Sequence, residues 1–145
     1  HVRDGIFIRQ DDYYRKCLYT DLLWVEASGS YSDIHLRDRS RIVVALRIGV
    51  MGRYLPASHF VRIHRSYVVS LFDIDTFVGN MLRIGDKWFP IGRLYRPGFF
   101  LVFFWCISGV LLHYRRFIPA YTSVTTPIGS GAKRKEKRGS DSIIA

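Results

Sequence analysis

The stretch Phe60–Ser70, FVRIHRSYVVS, decides the fold class of this chain. Apolar residues alternate with Arg62 and His64 in its first half, which is the period of a strand that buries one face. Its second half is rich in β-branched and aromatic residues, which also favour strands. A polar turn interrupts the two halves, so the stretch predicts two strands, Phe60–Arg62 and Tyr67–Ser70.

Short strands of the same kind extend in both directions from this stretch. Asp, Asn, Ser and Gly residues separate them, and such residues favour tight turns between antiparallel strands. The further predicted strands are Gly5–Gln10, Tyr13–Leu18, Leu22–Ser28, Tyr31–Arg37, Arg41–Val44, Ile74–Val78, Met81–Ile84 and Lys87–Pro90. Helical spacing predicts a helix over Leu46–Tyr54, which Pro56 ends. The sequence therefore predicts a mainly β domain, with antiparallel β-sheets of short strands and one or two small helices.

The composition excludes several classes of protein. With 145 residues, 48% of them hydrophobic and 15% aromatic, the chain can bury the core of one ordinary domain. It has only two cysteines, which excludes a disulfide-stapled scaffold and a cysteine-rich zinc module. The 22 lysines and arginines outnumber the 12 acidic residues and give a formal charge of +10. This balance favours a polyanionic partner, either nucleic acid or an anionic membrane surface.

The composition changes near Pro97, where an uncharged block, GFFLVFFWCISGVLL, begins. Three interpretations fit this block: a membrane anchor, a terminal helix that packs on the domain or on a partner, and a non-native sequence from a truncation or frameshift. The first would bring membrane association through Phe99–Leu112. We expect one domain over residues 1–97, a hydrophobic helical segment over 98–117 and a disordered basic tail over 118–145.

The sequence offers little support for catalysis. None of the five histidines lies at a metal-ligand spacing from cysteine or carboxylate, and no glycine-rich loop precedes a helix. Asp73 and Asp75 would share one face of a strand and resemble a carboxylate pair, but a solvated strand edge is the simpler interpretation. Cys17 has no evident base and is typical of a half-buried strand residue. We expect a protein that is not an enzyme and has no cofactor or metal.

The polar turn has two interpretations on its residues alone. An arginine side chain presents a planar fork that can reach guanine O6 and N7 in the major groove, while serine and tyrosine hydroxyls suit phosphate oxygens. Alternatively, Arg62 and His64 hold the turn by bonding to backbone carbonyl groups.

Three stretches of the chain resemble the LytTR family of bacterial DNA-binding output domains. The first is DLLWVEASGSY over residues 21–31, which resembles the family segment D-I-x-Y-I-E-A-x-x-x-Y. The second is the stretch quoted above, which is similar to F-x-R-x-H-R-S-Y-I-V-N and is the most specific. The third is FPIGRLYR over 89–96, which is similar to the closing motif P-[VI]-S/G-R-x-Y. The resemblance covers about residues 4–98, and nothing in the family predicts the uncharged block.

The resemblance implies an elongated body of stacked antiparallel sheets that places loop residues into successive major grooves and bends the duplex. The DNA-binding residues that it implies are Ser30, Tyr31, Ser32, Arg62, His64, Arg65, Ser66 and Arg93. Of these, Arg62 and Ser66 would position the backbone or contact phosphate, and the others would contact bases or the groove.

The resemblance makes sequence-specific binding of double-stranded DNA the expected function. The chain would be the output domain of a bacterial response regulator in a two-component system, and it would regulate transcription in the cytoplasm. Because regulators of this kind commonly bind paired sites, we expect a homodimer on DNA and an upstream signalling partner outside this stretch.

The alternative is a membrane-tethered protein-interaction or anionic-lipid-binding module, in which the basic residues face lipid headgroups. The position of the charge separates the two functions. Base reading needs Arg65 and Arg93 on one surface, whereas lipid attraction needs only positive charge near the uncharged block.

Overall fold

The computed structural model describes residues 4–106 and 143–144. Within these residues it has three antiparallel sheets and two helices, which confirms the predicted fold class. The strands are β1 (Gly5–Gln10), β2 (Tyr13–Leu18), β3 (Leu22–Ser28), β4 (Tyr31–Leu36), β5 (Arg41–Val44), β6 (Phe60–His64), β7 (Tyr67–Ser70), β8 (Thr76–Val78), β9 (Met81–Ile84), β10 (Lys87–Pro90) and β11 (Ile143–Ile144). The helices are α1 (Ile48–Met51) and α2 (Arg96–Cys106), and single 3-10 turns cover Tyr19–Asp21, Gly52–Tyr54, Leu71–Asp73 and Arg93–Tyr95.

Five strands form the central sheet, in the order β5-β4-β3-β7-β6. β3 lies in the middle, paired with β4 on one side and with β7 on the other. Because β3 and β7 are antiparallel, the end of β3 lies beside the start of β7, with Glu26 opposite Tyr67. The β3–β4 turn (Ser28–Tyr31) and the β6–β7 turn (His64–Tyr67) therefore emerge at the same end of the sheet.

Two hydrophobic cores lie on opposite faces of the central sheet. Val68 belongs to one core and Val69 to the other, as the alternation of side chains along a strand requires. The first core packs β1, β2 and α1 against the sheet, and the second packs strands of the β10-β9-β8 sheet and α2 against it. Both faces of the central sheet are thus buried, and its turns are left at the surface.

Three predicted strands have different bounds in the structure. β4 ends at Leu36 and β8 begins at Thr76, so each is shorter than predicted. β6 is longer and continues to His64, which pairs with Tyr67 of β7. The register shifts between Arg62 and His64, and this bulge carries the ladder into the turn.

The predicted helix over Leu46–Tyr54 is also shorter in the structure. Only the four residues of α1 are α-helical, and a 3-10 turn follows them. Gly49 and Gly52 each lower the helix propensity by about 1 kcal/mol relative to alanine. In addition, the Ser32 hydroxyl donates to the Leu46 carbonyl at 2.7 Å, which holds Leu46 beside β4 and outside the helix.

α2 begins at Arg96 and runs into the uncharged block. Phe99 and Phe100 are buried in the second core, where their ring centroids lie 5.8 Å and 5.4 Å from that of Phe77. Of the helices that the structure describes, none has the length and hydrophobicity needed to cross a bilayer. The rest of the predicted segment 98–117 and most of the predicted tail lie outside the described residues. Within the predicted tail the structure describes only β11, which pairs with β1.

Candidate nucleic-acid interface

The β6–β7 turn is held by the side chain of Arg62, which belongs to β6. Its Nε donates to the carbonyl oxygen of His64 and its Nη2 donates to that of Arg65, both at 2.8 Å. A guanidinium can make both bonds at once because its donors form a rigid, planar fork. Arg62 therefore fixes two carbonyl groups of the turn, which is the second interpretation that the sequence left open.

Two further hydrogen bonds tie the same turn to its surroundings. The His64 Nδ1 accepts the backbone N–H of Ser66 at 3.0 Å, and the Ser66 carbonyl accepts the N–H of Ala27 on β3 at 2.9 Å. Because Nδ1 is an acceptor here, we assign the proton of the neutral His64 ring to Nε2. The ring can therefore donate a hydrogen bond from Nε2.

The β6–β7 turn lacks the backbone conformation that is usual for a two-residue hairpin loop. Two-residue hairpin loops favour positive φ angles, because the resulting twist matches that of the flanking strands. Neither Arg65 nor Ser66 has a positive φ, and the ladder accommodates them through the bulge after Arg62. The turn thus depends on side-chain partners for its shape, and it leaves Arg65 exposed between its two strands.

The closing segment (Ile91–Arg96) lies directly against β6. The Gly92 N–H donates to the Ile63 carbonyl at 2.7 Å. A Cβ atom at position 92 would lie 3.2 Å from the Tyr95 ring and 3.5 Å from the His64 ring. Glycine therefore allows this approach without displacing the Tyr95 ring.

Arg62 also joins the turn to the closing segment. Its guanidinium lies over the Tyr95 ring, 5.4 Å from the ring centroid, in a cation–π contact. The same group bonds to the Arg65 carbonyl, and Tyr95 is two residues from Arg93. One side chain thus connects the two segments that carry Arg65 and Arg93.

The β3–β4 turn has a different construction. Gly29 adopts φ +63°, in the left-handed region that glycine enters without strain. Ser30 and Tyr31 are exposed there, and Ala27, which bonds to Ser66, lies only a few residues before them.

Ser32, which the resemblance places in the interface, is buried with no accessible surface. Its hydroxyl donates to the Leu46 carbonyl at 2.7 Å. A side chain in this position cannot contact DNA, so we remove Ser32 from the candidate interface.

Arg65 and Arg93 carry positive charge that no other described residue neutralises. Both side chains are exposed, and neither makes a hydrogen bond or ion pair within residues 4–106. Three other arginines are paired with carboxylates, in the ion pairs Arg37–Asp73, Arg41–Asp33 and Arg83–Asp75. Burial lowers the pKa of the Arg62 guanidinium, but the usual arginine pKa is so high that the group remains a cation near neutral pH.

Comparison with known proteins shows the family and the fold of the chain. The family model described as the LytTr DNA-binding domain matches residues 13–99, which are 87 of the 145 residues. The chain belongs to the LytTR DNA-binding domain family. Among solved structures, it is similar to the LytTr DNA-binding domain of a Bacillus cereus protein described as a methyl-accepting/DNA response regulator. The identity is 15%, the match covers 70% of this chain and 97% of that chain, and the TM-score is 0.60, which shows a shared fold. No curated protein matches the chain.

The LytTR domain distributes the predicted residues over three neighbouring segments. Those on β6 or in the β6–β7 turn are Arg62, His64, Arg65 and Ser66. Arg93 lies in the closing segment, and Ser30 and Tyr31 lie in the β3–β4 turn. Ser32 is buried. The structure thus brings the β6–β7 turn and the closing segment into contact, and it places the β3–β4 turn at the same end of the sheet.

Two residues that shape this region were absent from the predicted set. Tyr95 supports the Arg62 guanidinium, and Gly92 gives the room for the closing segment to meet β6. Both residues lie close to Arg93 in the closing motif, and this position could have identified them from the sequence.

The other candidate catalytic groups from the sequence have structural roles in the fold. Cys17 is buried in the first core, and burial raises the pKa of its thiol to about 11, so a reactive thiolate is disfavoured. Asp73 and Asp75 bind different arginines and do not form a carboxylate pair. Residues 4–106 contain no cluster of histidine, cysteine and carboxylate groups that could hold a metal ion.

Proposed function

We propose that this LytTR domain binds double-stranded DNA in a sequence-specific manner, as the cytoplasmic output module of a bacterial transcriptional regulator. Arg65 and Arg93 read bases in the major groove. One observation carries this proposal: both guanidinium groups are exposed and unpaired within the described residues, on segments that Arg62 joins.

The rigidity of the two segments favours base reading over general attraction to phosphate. Base recognition requires the arginine fork to meet guanine O6 and N7 in a defined geometry, and each good pair of this kind is worth about 1–3 kcal/mol. A turn fixed in advance loses little conformational entropy on binding. The bonds from Arg62 to the His64 and Arg65 carbonyls supply that fixation in the free protein.

The remaining residues have supporting roles in the proposal. His64 offers a donor at Nε2, and Ser66, Ser30 and Tyr31 offer hydroxyl groups that suit phosphate oxygens. Arg62 acts inside the protein by shaping the turn. The domain acts by binding alone, without catalysis, and two copies occupy paired sites on the duplex.

The test is a selection of bound duplexes from a randomised library by the full 145-residue chain at near-physiological salt. Arg65→Ala is selected in parallel, with Arg39→Ala as the matched control. Arg39 is also exposed but lies in the β4–β5 connection, at the opposite end of the central sheet. The proposal predicts an enriched motif that loses information at one position of each half-site with Arg65→Ala and is unchanged with Arg39→Ala.

Two results of this selection would contradict the proposal. Binding that depends on salt but enriches no motif would mean that the charge attracts phosphate without reading bases. Flotation with anionic vesicles in the absence of an enriched motif would favour the lipid-binding alternative.

A further inference from the structure

Leu94 is 87% exposed, the highest fraction among the large apolar side chains that the structure describes. We propose that Leu94 determines specificity by contacting the 5-methyl group of a thymine next to the base that Arg93 reads. This inference rests on the proposed function and adds an A·T pair to the predicted operator. It assigns a second base contact to the closing segment.

The backbone around Leu94 is fixed, so its exposure does not come from a loose loop. The Tyr95 N–H donates to the Gly92 carbonyl at 2.8 Å and closes the 3-10 turn that contains Leu94. The Arg96 Nε donates to the Ile91 carbonyl at 3.1 Å, and Ile91 is buried. Together with the bond from Gly92 to β6, these contacts hold Leu94 at the surface.

Two other exposed apolar side chains, those of Phe72 and Trp88, contact residues of their own chain. The Phe72 ring packs against His59, with centroids 4.9 Å apart, and the Trp88 ring lies under Arg83, whose guanidinium carbon is 5.7 Å from its centroid. Leu101 on α2 is only 47% exposed. Leu94, at nearly twice that fraction, has almost all of its side chain available to a partner.

The charge around Leu94 indicates the chemistry of that partner. Arg93 precedes it and is exposed and unpaired within residues 4–106, and the β6–β7 turn with Arg65 lies against the same segment. An exposed apolar side chain next to an unpaired cation fits a surface that is anionic overall and carries isolated apolar groups. The major groove has this character, because phosphates line it and the thymine methyl is its apolar group.

Adjacent positions in one 3-10 turn also constrain the register. Arg93 and Leu94 are consecutive, so their side chains can reach neighbouring base pairs but not distant ones. The proposal therefore predicts an A·T pair beside the G·C pair that Arg93 recognises. A single leucine, by contrast, gives too little apolar surface for stable membrane attachment.

The experiment first selects a motif with the full chain and then replaces each thymine of that duplex, one at a time, with uracil. Uracil keeps the base pairing and removes only the 5-methyl group. For the wild type we expect about a fourfold loss of affinity at one thymine of each half-site, next to the position that Arg93→Ala blurs. For Leu94→Ala we expect weaker binding to the thymine duplex and no further loss with uracil at that position. Leu101→Ala is the matched control and should keep the wild-type profile.

The outcomes separate this inference from the proposed function. No enriched motif would overturn both. An enriched motif with the same uracil profile for wild type and Leu94→Ala would overturn the role of Leu94 and leave the proposed function intact. Loss of binding to anionic vesicles in Leu94→Ala, with DNA binding unchanged, would assign Leu94 to a membrane surface and also overturn the inference.

Discussion

The two turns at one end of the central sheet are built in opposite ways. The β3–β4 turn obtains its shape from Gly29, whose φ of +63° needs no side-chain support. The β6–β7 turn has no positive φ, and Arg62 and His64 hold it through three hydrogen bonds. The shape of the β3–β4 turn therefore follows from the backbone conformation of glycine. The shape of the β6–β7 turn depends on hydrogen bonds from side chains.

The two turns differ in how strictly they must position their exposed side chains. The β3–β4 turn presents Ser30 and Tyr31, whose hydroxyl groups tolerate a range of phosphate positions. The β6–β7 turn presents Arg65, whose proposed role in base reading requires a fixed direction. The turn that carries Arg65 therefore has more side-chain hydrogen bonds to its backbone, and Arg65 is the residue whose proposed role requires the most exact position.

The largest effect that we predict is on Arg62. Arg62→Ala removes two charge-assisted bonds to carbonyl groups and the contact with Tyr95, so the free energy of unfolding should fall by about 2–4 kcal/mol. Denaturant unfolding measures this change. Arg41→Ala is the control, because its exposed pair with Asp33, at 3.5 Å, should contribute less than about 1 kcal/mol. Equal losses of unfolding free energy in the two variants would show that the Arg62 side chain does not stabilise the β6–β7 turn.

The next effect concerns the two proposed base readers. Arg65→Ala and Arg93→Ala should each cost about 1–3 kcal/mol on the selected duplex and much less on unrelated DNA. Titrations on both kinds of duplex at one salt concentration measure the difference. Thermal unfolding should be nearly unchanged, because neither side chain is bonded within the described residues. A uniform loss on all duplexes would mean that these arginines contact phosphate.

Ser32→Ala tests the part of the comparison that concerns the β3–β4 hairpin. The substitution leaves the Leu46 carbonyl without its donor, so we expect a loss of about 1–2 kcal/mol in the free energy of unfolding. The selected DNA motif should not change, because Ser32 is buried. Ser30→Ala, on the exposed side of the same hairpin, should change stability by less than about 0.5 kcal/mol. A blurred motif in Ser32→Ala would return this residue to the interface.

Gly29→Ala tests whether the β3–β4 turn depends on backbone conformation alone. A Cβ atom at this position would meet nothing within 4 Å, so only the left-handed conformation opposes it. We expect a loss of about 1 kcal/mol in the free energy of unfolding, with DNA specificity unchanged. No loss would mean that the turn has another accessible shape.

The smallest effect that we predict is a pH dependence from His35 on β4. Burial lowers the pKa of His35, and the Glu26 carboxylate, 3.4 Å from Nε2, opposes this shift. The unfolded chain therefore takes up the proton first as the pH falls. The contribution to stability is present above about pH 6.5 and is lost as the pH falls below it, by less than about 1 kcal/mol. Denaturant unfolding at pH 7 and 5 measures it, and His35→Gln should reduce the slope.

Much of this fold could be predicted from hydrophobic alternation, and the interface only in part. Alternation, β-branched and aromatic content and the turn residues between strands together predicted β1, β2, β3, β5, β7, β9 and β10 with their observed bounds. The alternation along β4 also contained a signal that Ser32 is buried, because Ser32 shares one face of this strand with the buried Ile34 and Leu36. The direction of the Arg62 guanidinium could not be predicted, because a strand pattern does not say whether a long side chain turns back to its own backbone. Its contact with Tyr95 depends on tertiary structure.

The most direct test of the account is whether Arg62 acts through Arg65. The measurement is the affinity of the full chain for the selected duplex in four proteins: wild type, Arg62→Lys, Arg65→Ala and the double variant. If Arg62 shapes the turn for Arg65, Arg62→Lys should weaken binding about tenfold or more in the wild type and less than about threefold once Arg65 is alanine. Equal losses in both backgrounds would show that Arg62 contributes to DNA binding independently of Arg65 and would contradict its role in shaping the turn.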